Sequence, residues 1–360
     1  MTTIRPEGLE SIHYNVAIAA DFGVGGDLAQ SVDPPENYVI ALHDVKVAHP
    51  TDMPPQYALI TCLIREVRMK SVAIAAAAAV LSVASAWGQT GNKPVNIVAA
   101  ENFYGDIAKQ VGGSNVKVTS ILSNPDQDPH LFEVSPSVGR NVSAAQIVIY
   151  SGIDYDPWME KLLKAAKSGD RKTIVVADLI GKKTGDNPHV WYDPAAMLAL
   201  AKSLSEALSA SDPDHKDGYE QRLAGFQDSL KPIQAKIAEL HDRLMGTPVT
   251  ATEPIFGYMF DALGMQVRNE SFQLSVMNNT EPSASDVASF EKDLKTHQVK
   301  LLVYNSQASD PIASRMEKIA KAAHIPVVGA TETEPAGKNY QAWMMTELAA
   351  VDKALPGLTQ

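Results

Sequence analysis

The chain has 360 residues, a length that predicts two domains rather than one, and its 45% hydrophobic content is that of a globular protein. Its formal net charge of −11 argues against nucleic acid or an anionic membrane surface as a partner. The only cysteine is Cys62, which excludes a disulfide framework and a zinc site built on thiolates. Any bound metal ion therefore needs imidazole and carboxylate ligands.

A secretion signal is predicted at residues 69–88. Lys70 is followed by an apolar run from Val72 to Val83 and then by Ala84-Ser85-Ala86, the order of a basic, an apolar and a cleavage region. The run is shorter than the roughly 20 apolar residues of a membrane span. A buried internal helix is the alternative interpretation.

The position of this segment bears on the start of the protein. Because a signal peptide begins at the protein's start, we expect translation to begin at Met69 and export to the periplasm by a Sec-type signal. Residues 1–68 are then a non-native or disordered upstream extension.

From residue 93 onwards, short β-branched runs alternate with amphipathic helical stretches, which predicts parallel sheets covered by helices on both faces. The predicted strands are Val95–Ala99, Val116–Leu122, Ile147–Tyr150, Ile174–Ala177, Pro248–Thr252, Leu301–Tyr304 and Pro326–Gly329. Helices are predicted at Asn102–Val111 and Trp158–Ala166.

One long helix is predicted across residues 212–246. Asp212-Pro213 suits its N-terminus and Gly246 its end, while Pro232 predicts a kink or a break. Apolar residues recur at spacings of four and three: Tyr219, Leu223, Phe226, Leu230, Ile233, Ile237, Leu240 and Leu244. A coiled-coil dimer is the alternative. We favour a single helix packed across two lobes, because strand-helix alternation resumes after it.

The second half of the chain echoes the first. Residues 98–113 match residues 249–264, with Glu101 on Glu253, and AQIVIYSG at 145–152 matches VKLLVYNS at 299–306. The sequence thus predicts an α/β protein of two similar lobes, 89–211 and 247–360, joined by the long helix. Ligands of such folds bind where strand carboxyl ends meet.

Two histidines and several acids lie at predicted strand ends. His130 and His189 each follow a proline, which fixes the backbone before the imidazole. Glu253 and its repeat mate Glu101 end strands, although a glutamate there often caps a helix instead. A further oxygen donor is expected within TETEP at 331–335.

From about residue 93 to its end, the chain resembles the solute-binding proteins of zinc and manganese ABC importers. The matching segments are DPHLFE at 128–133, SGIDYDPWMEKLL at 151–163, NPHVWYDP at 187–194, ATEPIFGYMFDALG at 251–264, NNTEPSASDV at 278–287 and IPVVGATETEPAGKNYQAWM at 325–344. They run in family order over nearly the whole exported chain.

The resemblance implies a metal site between the lobes, formed by His130, His189, Glu253 and an acid of TETEP. The family pattern selects Glu332 ahead of Glu334, and Glu101 is kept as a lower-ranked ligand or neighbour of the site. Glutamate replaces the third histidine of many zinc-binding members, which makes the site harder and favours manganese, whereas intrinsic affinity favours zinc. The ion is therefore expected to be Zn²⁺ or Mn²⁺.

The resemblance further implies a monomeric periplasmic protein that is not an enzyme and delivers its ion to an ABC importer permease. A zinc hydrolase is one alternative, because two histidines and a glutamate can form a catalytic site. A metal-stabilised adhesin on the same scaffold is the other. No cysteine follows the signal segment, so we expect a free periplasmic protein.

Overall fold

The computed structural model describes residues 93–124, 132–166, 168–308 and 310–357. The predicted upstream extension and signal segment lie outside the described residues, and so does His130.

The first sheet contains four parallel strands: β1 (Val95–Glu101), β2 (Val116–Leu122), β3 (Ile147–Tyr150) and β4 (Lys172–Val175). Their order across the sheet is β2-β1-β3-β4. In register, Val98 of β1 lies beside Thr119 of β2 and Val148 of β3. The helices of this half are α1 (Asn102–Gly112), α2 (Pro136–Ala144), α3 (Pro157–Ala165), α4 (Val176–Leu179) and α5 (Ala196–Ser211).

The second sheet repeats this topology. Its strands are β5 (Pro248–Ala251), β6 (Gln266–Arg268), β7 (Leu302–Asn305) and β8 (Val327–Ala330), and all are parallel. Their order is β6-β5-β7-β8, which corresponds strand for strand to the first sheet. The prediction of two similar lobes is confirmed.

A long helix, α6 (Lys216–Leu244), joins the two halves. The helices of the second half are α7 (Gly257–Ala262), α8 (Glu270–Met277), α9 (Ala284–Lys295), α10 (Pro311–Ala322) and α11 (Tyr340–Ala354). Pro232 lies inside α6 without splitting it, because the helix is continuous through that residue. Gly246 follows the end with a φ of 77°, a conformation that glycine adopts without strain.

The apolar stripe of α6 packs within the chain. Tyr219, Phe226, Leu230, Leu240 and Leu244 are buried, and α6 contacts α1, α5 and α11. The stripe is therefore used by the fold itself, as the single-helix interpretation expected.

Alternate residues of the strands belong to different cores. Ile97 and Ile149 of the first sheet join Val249 and Val303 of the second in one shared cluster. The opposite face of the first sheet, including Val98, packs in a separate cluster. This period of two lets a continuous apolar strand be buried on both faces.

Two local predictions differ from the structure. The predicted strand Ile174–Ala177 is Lys172–Val175, because α4 begins at Val176. The strand Gln266–Arg268 had not been predicted. Its three residues are polar, apolar and polar, too short a pattern to separate from a loop.

Candidate metal centre

Loops from the two sheets meet through hydrogen bonds at the carboxyl ends of the strands. Tyr155, between β3 and α3, donates its hydroxyl to Oε2 of Glu332, which follows β8, at 2.8 Å. Tyr192 donates to the carbonyl oxygen of Thr331 at 2.9 Å. The contact region lies where the sequence predicted a cleft.

His189 is completely buried in the loop before the short helix Val190–Tyr192. Its imidazole packs against two aromatic rings, with centroid distances of 6.2 Å to Tyr155 and 5.2 Å to Trp191. Its Nδ1 lies 2.7 Å from Oδ1 of Asn187, and its backbone N–H donates to the same oxygen at 3.1 Å. The imidazole is therefore packed against two rings and bonded at one nitrogen.

The contacts of Asn187 determine which nitrogen of His189 carries the proton. The backbone N–H of His189 must face an acceptor atom of the Asn187 side chain. The carbonyl oxygen of Pro254, 2.6 Å from Nδ2 of Asn187, must face a donor atom of the same side chain. These two contacts identify the amide oxygen as the atom beside the imidazole. Since an amide oxygen only accepts, Nδ1 donates, and Nε2 carries the lone pair that could bind a metal ion.

Glu253 lies just after β5 and is 3% exposed. Its backbone is extended, and although it stands at the N-cap position of the short helix Pro254–Phe256, its side chain makes no capping hydrogen bond. Glu253 therefore does not cap this helix with its side chain, which is the common alternative role of a glutamate at a strand end.

Glu332 is fully buried, and each carboxylate oxygen accepts a hydrogen bond. Oε1 accepts from Nδ2 of Asn305, at the end of β7, and Oε2 from Tyr155. The backbone N–H of Asn305 lies 3.4 Å from Oγ1 of Thr252, the residue before Glu253. Asn305 therefore connects the loops that carry the two glutamates.

Glu334 lies among different neighbours. Its backbone is paired with the amide of Asn102 through bonds of 2.7 and 3.0 Å. Burial raises the pKa of its carboxyl group to about 8, with a further rise from Asp106 that Lys109 opposes. The Glu334 carboxyl group thus lies beside α1, whereas that of Glu332 bonds to Tyr155.

Glu101 and Asp156 form a buried acidic pair in the first lobe. Burial, followed by the nearby charge of Asp156, raises the pKa of Glu101 well above its usual range. The pKa of Asp156 is raised to about 7 by burial, against the effect of backbone N–H bonds from Gly152 and Ser151. Glu332 adds to the rise at Glu101. Protonation is therefore favoured within this pair.

The described residues contain only part of the predicted ligand set. His189, Glu253 and Glu332 lie on loops joined by Tyr155, Asn187 and Asn305. Within the described ranges, no three His, Cys, Asp or Glu side chains already form a metal-binding group. The four-ligand site remains a prediction.

Three residues that organise this region were missed by the sequence analysis. Tyr155 and Asn187 both lie in segments that match the family, but Tyr155 is far along the chain from any predicted ligand, and Asn187 is overshadowed by the histidine two residues after it. Asn305 corresponds to Ser151 in the internal repeat, so a polar residue at both strand ends was the available signal.

A sequence model of the family described as zinc-uptake complex component A, periplasmic, matches residues 97–354. The chain belongs to this family. It is a solute-binding protein of a metal ABC importer and not an enzyme, which rejects the hydrolase hypothesis; the adhesin alternative is not supported either.

Relatives and solved structures agree with this membership. The manganese ABC transporter substrate-binding lipoprotein PsaA of Streptococcus pneumoniae is 24% identical over 78% of this chain and 96% of its own. The lipoprotein SloC of Streptococcus mutans is 25% identical over 76% and 92%. In fold, the periplasmic zinc binding protein TroA of Treponema pallidum gives a TM-score of 0.60 at 18% identity, covering 75% of this chain and all of its own.

A fourth comparison is with the Mn-bound periplasmic metal binding protein of Candidatus Liberibacter asiaticus. It gives a TM-score of 0.58 at 18% identity, over 72% of this chain and 100% of its own. The prediction of an exported protein that binds a metal ion as solute and works with a membrane permease is confirmed at the level of the family. Among the described residues, no helix is long and apolar enough to cross a membrane.

Proposed function

We propose that this protein captures Zn²⁺ or Mn²⁺ between its two lobes through His130, His189, Glu253 and Glu332. The observation that carries the proposal is Tyr155, which packs against the imidazole of His189 and donates to the carboxylate of Glu332. A histidine of the first lobe and an acid of the second thereby share one neighbour at the lobe contact. Such mutual positioning is what a preorganised site requires.

The charges of the proposed ligands suit a divalent cation. The proposed ligands are two neutral imidazoles and two carboxylates, with a total charge of about −2. A divalent ion neutralises this charge as the lobes close around it. Glu101 supplies no further negative charge while it keeps its proton. Burial and the charge of Asp156 raise the pKa of Glu101, which favours its protonated form in the metal-free protein.

Between the two acids of TETEP, we assign the ligand role to Glu332. Its carboxylate bonds to Tyr155 and Asn305, the neighbours of His189 and of the Glu253 loop. Glu334 lies beside α1, near Asp106. Glu101 and Glu334 are thus assigned to the surroundings of the site.

We also propose the setting of the loaded protein. It is a periplasmic monomer, exported by the signal beginning at Met69, which passes its ion to the membrane permease. The lobes are residues 89–211 and 247–360, with 212–246 between them. Since α6 packs against helices of both halves, we expect small lobe shifts rather than a wide hinge opening.

The test is competition binding of zinc and manganese to the full chain and to single-site variants. His130→Ala, His189→Ala, Glu253→Gln and Glu332→Gln should each weaken binding at least tenfold, whereas Glu334→Gln should bind as the unmodified chain does. Glu253→His, run in parallel, should shift preference towards zinc. Unchanged binding by His130→Ala or Glu332→Gln would contradict the proposed ligand set.

A further inference from the structure

The side chain of Asn187 connects the two lobes. Its Oδ1 accepts from His189 of its own lobe, and its Nδ2 donates to the carbonyl oxygen of Pro254 in the other at 2.6 Å. The backbone carbonyl oxygen of Asn187 accepts a hydrogen bond from the hydroxyl of Tyr258, also at 2.6 Å. One residue therefore contacts a predicted ligand and, through two bonds, the segment that follows another predicted ligand, Glu253.

The second lobe is shaped to admit this amide. A Cβ added at Gly257 would lie 2.6 Å from Nδ2 of Asn187, closer than a real contact allows. Gly257 is helical, with a φ of −55°, so its backbone gives no reason for glycine there. The missing side chain instead gives the amide the space to reach Pro254.

The oxygen and the nitrogen of the Asn187 amide have different roles. The oxygen keeps the proton of His189 on Nδ1, so that Nε2 keeps its lone pair for a metal ion. The NH₂ group donates its hydrogen bond to the carbonyl oxygen of Pro254 in the other lobe. A carboxylate at position 187 could also accept the Nδ1 proton of His189. It would, however, place one of its oxygens against the carbonyl oxygen of Pro254.

We infer that Asn187 is a positioning residue that links the ligand orientation of His189 to contact between the lobes. The inference rests on the proposed function, because it takes His189 as a ligand. Even a small shift of the lobes apart breaks the 2.6 Å bond between Asn187 and Pro254. The amide is then held only on the His189 side, and the imidazole is less firmly oriented. Metal release is thereby coupled to lobe separation.

The experiment compares Asn187→Ala, Asn187→Asp and His189→Ala in the full chain, using zinc as the probe. We measure zinc affinity by competition, zinc dissociation after mixing with excess chelator, and the imidazole ¹⁵N shifts of His189 in the metal-free protein. Asn187→Ala should lose the Nδ1–H tautomer and bind zinc about 10- to 100-fold more weakly. Asn187→Asp should keep the tautomer and release zinc about tenfold faster.

Asn102→Ala is the matched control. Asn102 also joins the lobes through its amide, whose hydrogen bonds within the described part of the chain go to the backbone of Glu334 and not to a proposed ligand side chain. It should leave the His189 tautomer unchanged. If His189→Ala binds zinc like the unmodified chain, the proposed function fails. If His189→Ala loses zinc while both Asn187 variants keep the original tautomer and dissociation rate, the positioning inference is overturned.

Discussion

Tyr155 donates a hydrogen bond to Glu332 across 177 positions of the chain, joining the loop after β3 to the loop after β8. Because the same ring packs against His189, Tyr155 positions one candidate ligand from each lobe. The hydroxyl of Tyr155 can therefore change the metal affinity of the site without coordinating the ion.

Tyr155→Phe should lower zinc and manganese affinity about tenfold, because Glu332 loses the donor that orients Oε2. Competition binding measures the effect. Tyr219→Phe is the control, since it removes a comparable buried bond, of 2.6 Å to Asp212, elsewhere in the fold. Both variants should lose a similar amount of stability, but Tyr219→Phe should keep its metal affinity. Equal affinity in the two variants would contradict the positioning role of Tyr155.

Glu101→Gln should retain metal binding within about threefold, because Glu101 is proposed as a neighbour of the site and not as a ligand. The amide can donate to Asp156 in place of the proton that the acidic pair favours. A tenfold loss in the same competition assay would instead make Glu101 a ligand.

The same variant should change the dependence of stability on pH. The pKa values of Glu101 and Asp156 are both raised in the fold. The unfolded chain therefore releases these protons first, and stability falls as pH rises from about 4 through the folded pKa values. Glu101→Gln should flatten this fall, as measured by denaturant unfolding between pH 4 and pH 8.

Glu347→Gln should stabilise the protein at high pH. Burial raises the pKa of Glu347 to about 7, against the bond of 3.1 Å that Trp343 donates to it. Its contribution to stability is fully present below the unfolded pKa and is lost as pH rises through about 7. The variant should gain about 3 kcal/mol in the free energy of unfolding at pH 8 and little at pH 4. Glu206→Gln, on the exposed surface of α5, should follow the unmodified profile.

Leu240→Ala should lower the free energy of unfolding by about 3 kcal/mol, because Leu240 is fully buried in the shared core and its loss leaves a cavity. Met245→Ala, at a side chain that is 49% exposed, should change it by less than about 0.5 kcal/mol. Denaturant unfolding measures both. Light scattering should find the same monomeric mass in each variant, whereas a change of mass in Leu240→Ala would revive the coiled-coil interpretation of the α6 stripe.

The α/β class and the long helix were predictable from local periodicity, and the two similar lobes from the internal repeat that places Glu101 on Glu253. Apolar runs such as Ile147–Tyr150 and the spacing of Tyr219, Phe226 and Leu240 repeat over enough residues to identify a buried strand or a helix stripe. Candidate ligands such as His189 and Glu253 could be selected because they lie beside prolines at strand ends, and the family resemblance implied how they combine into one site.

Only the tertiary structure decided how these residues are held. Asn187 and Pro254 are 67 positions apart, and Asn305 and Glu332 are 27 apart, so no local pattern could pair them. Glu332 and Glu334 are indistinguishable by residue type, but they acquire different neighbours once β8 places the first beside Tyr155 and the second beside α1. Residue type and position at strand ends indicated which side chains could bind a metal ion. The contact between the two lobes decided which of them share a neighbour, because hydrogen bonds depend on distance in space and not along the chain.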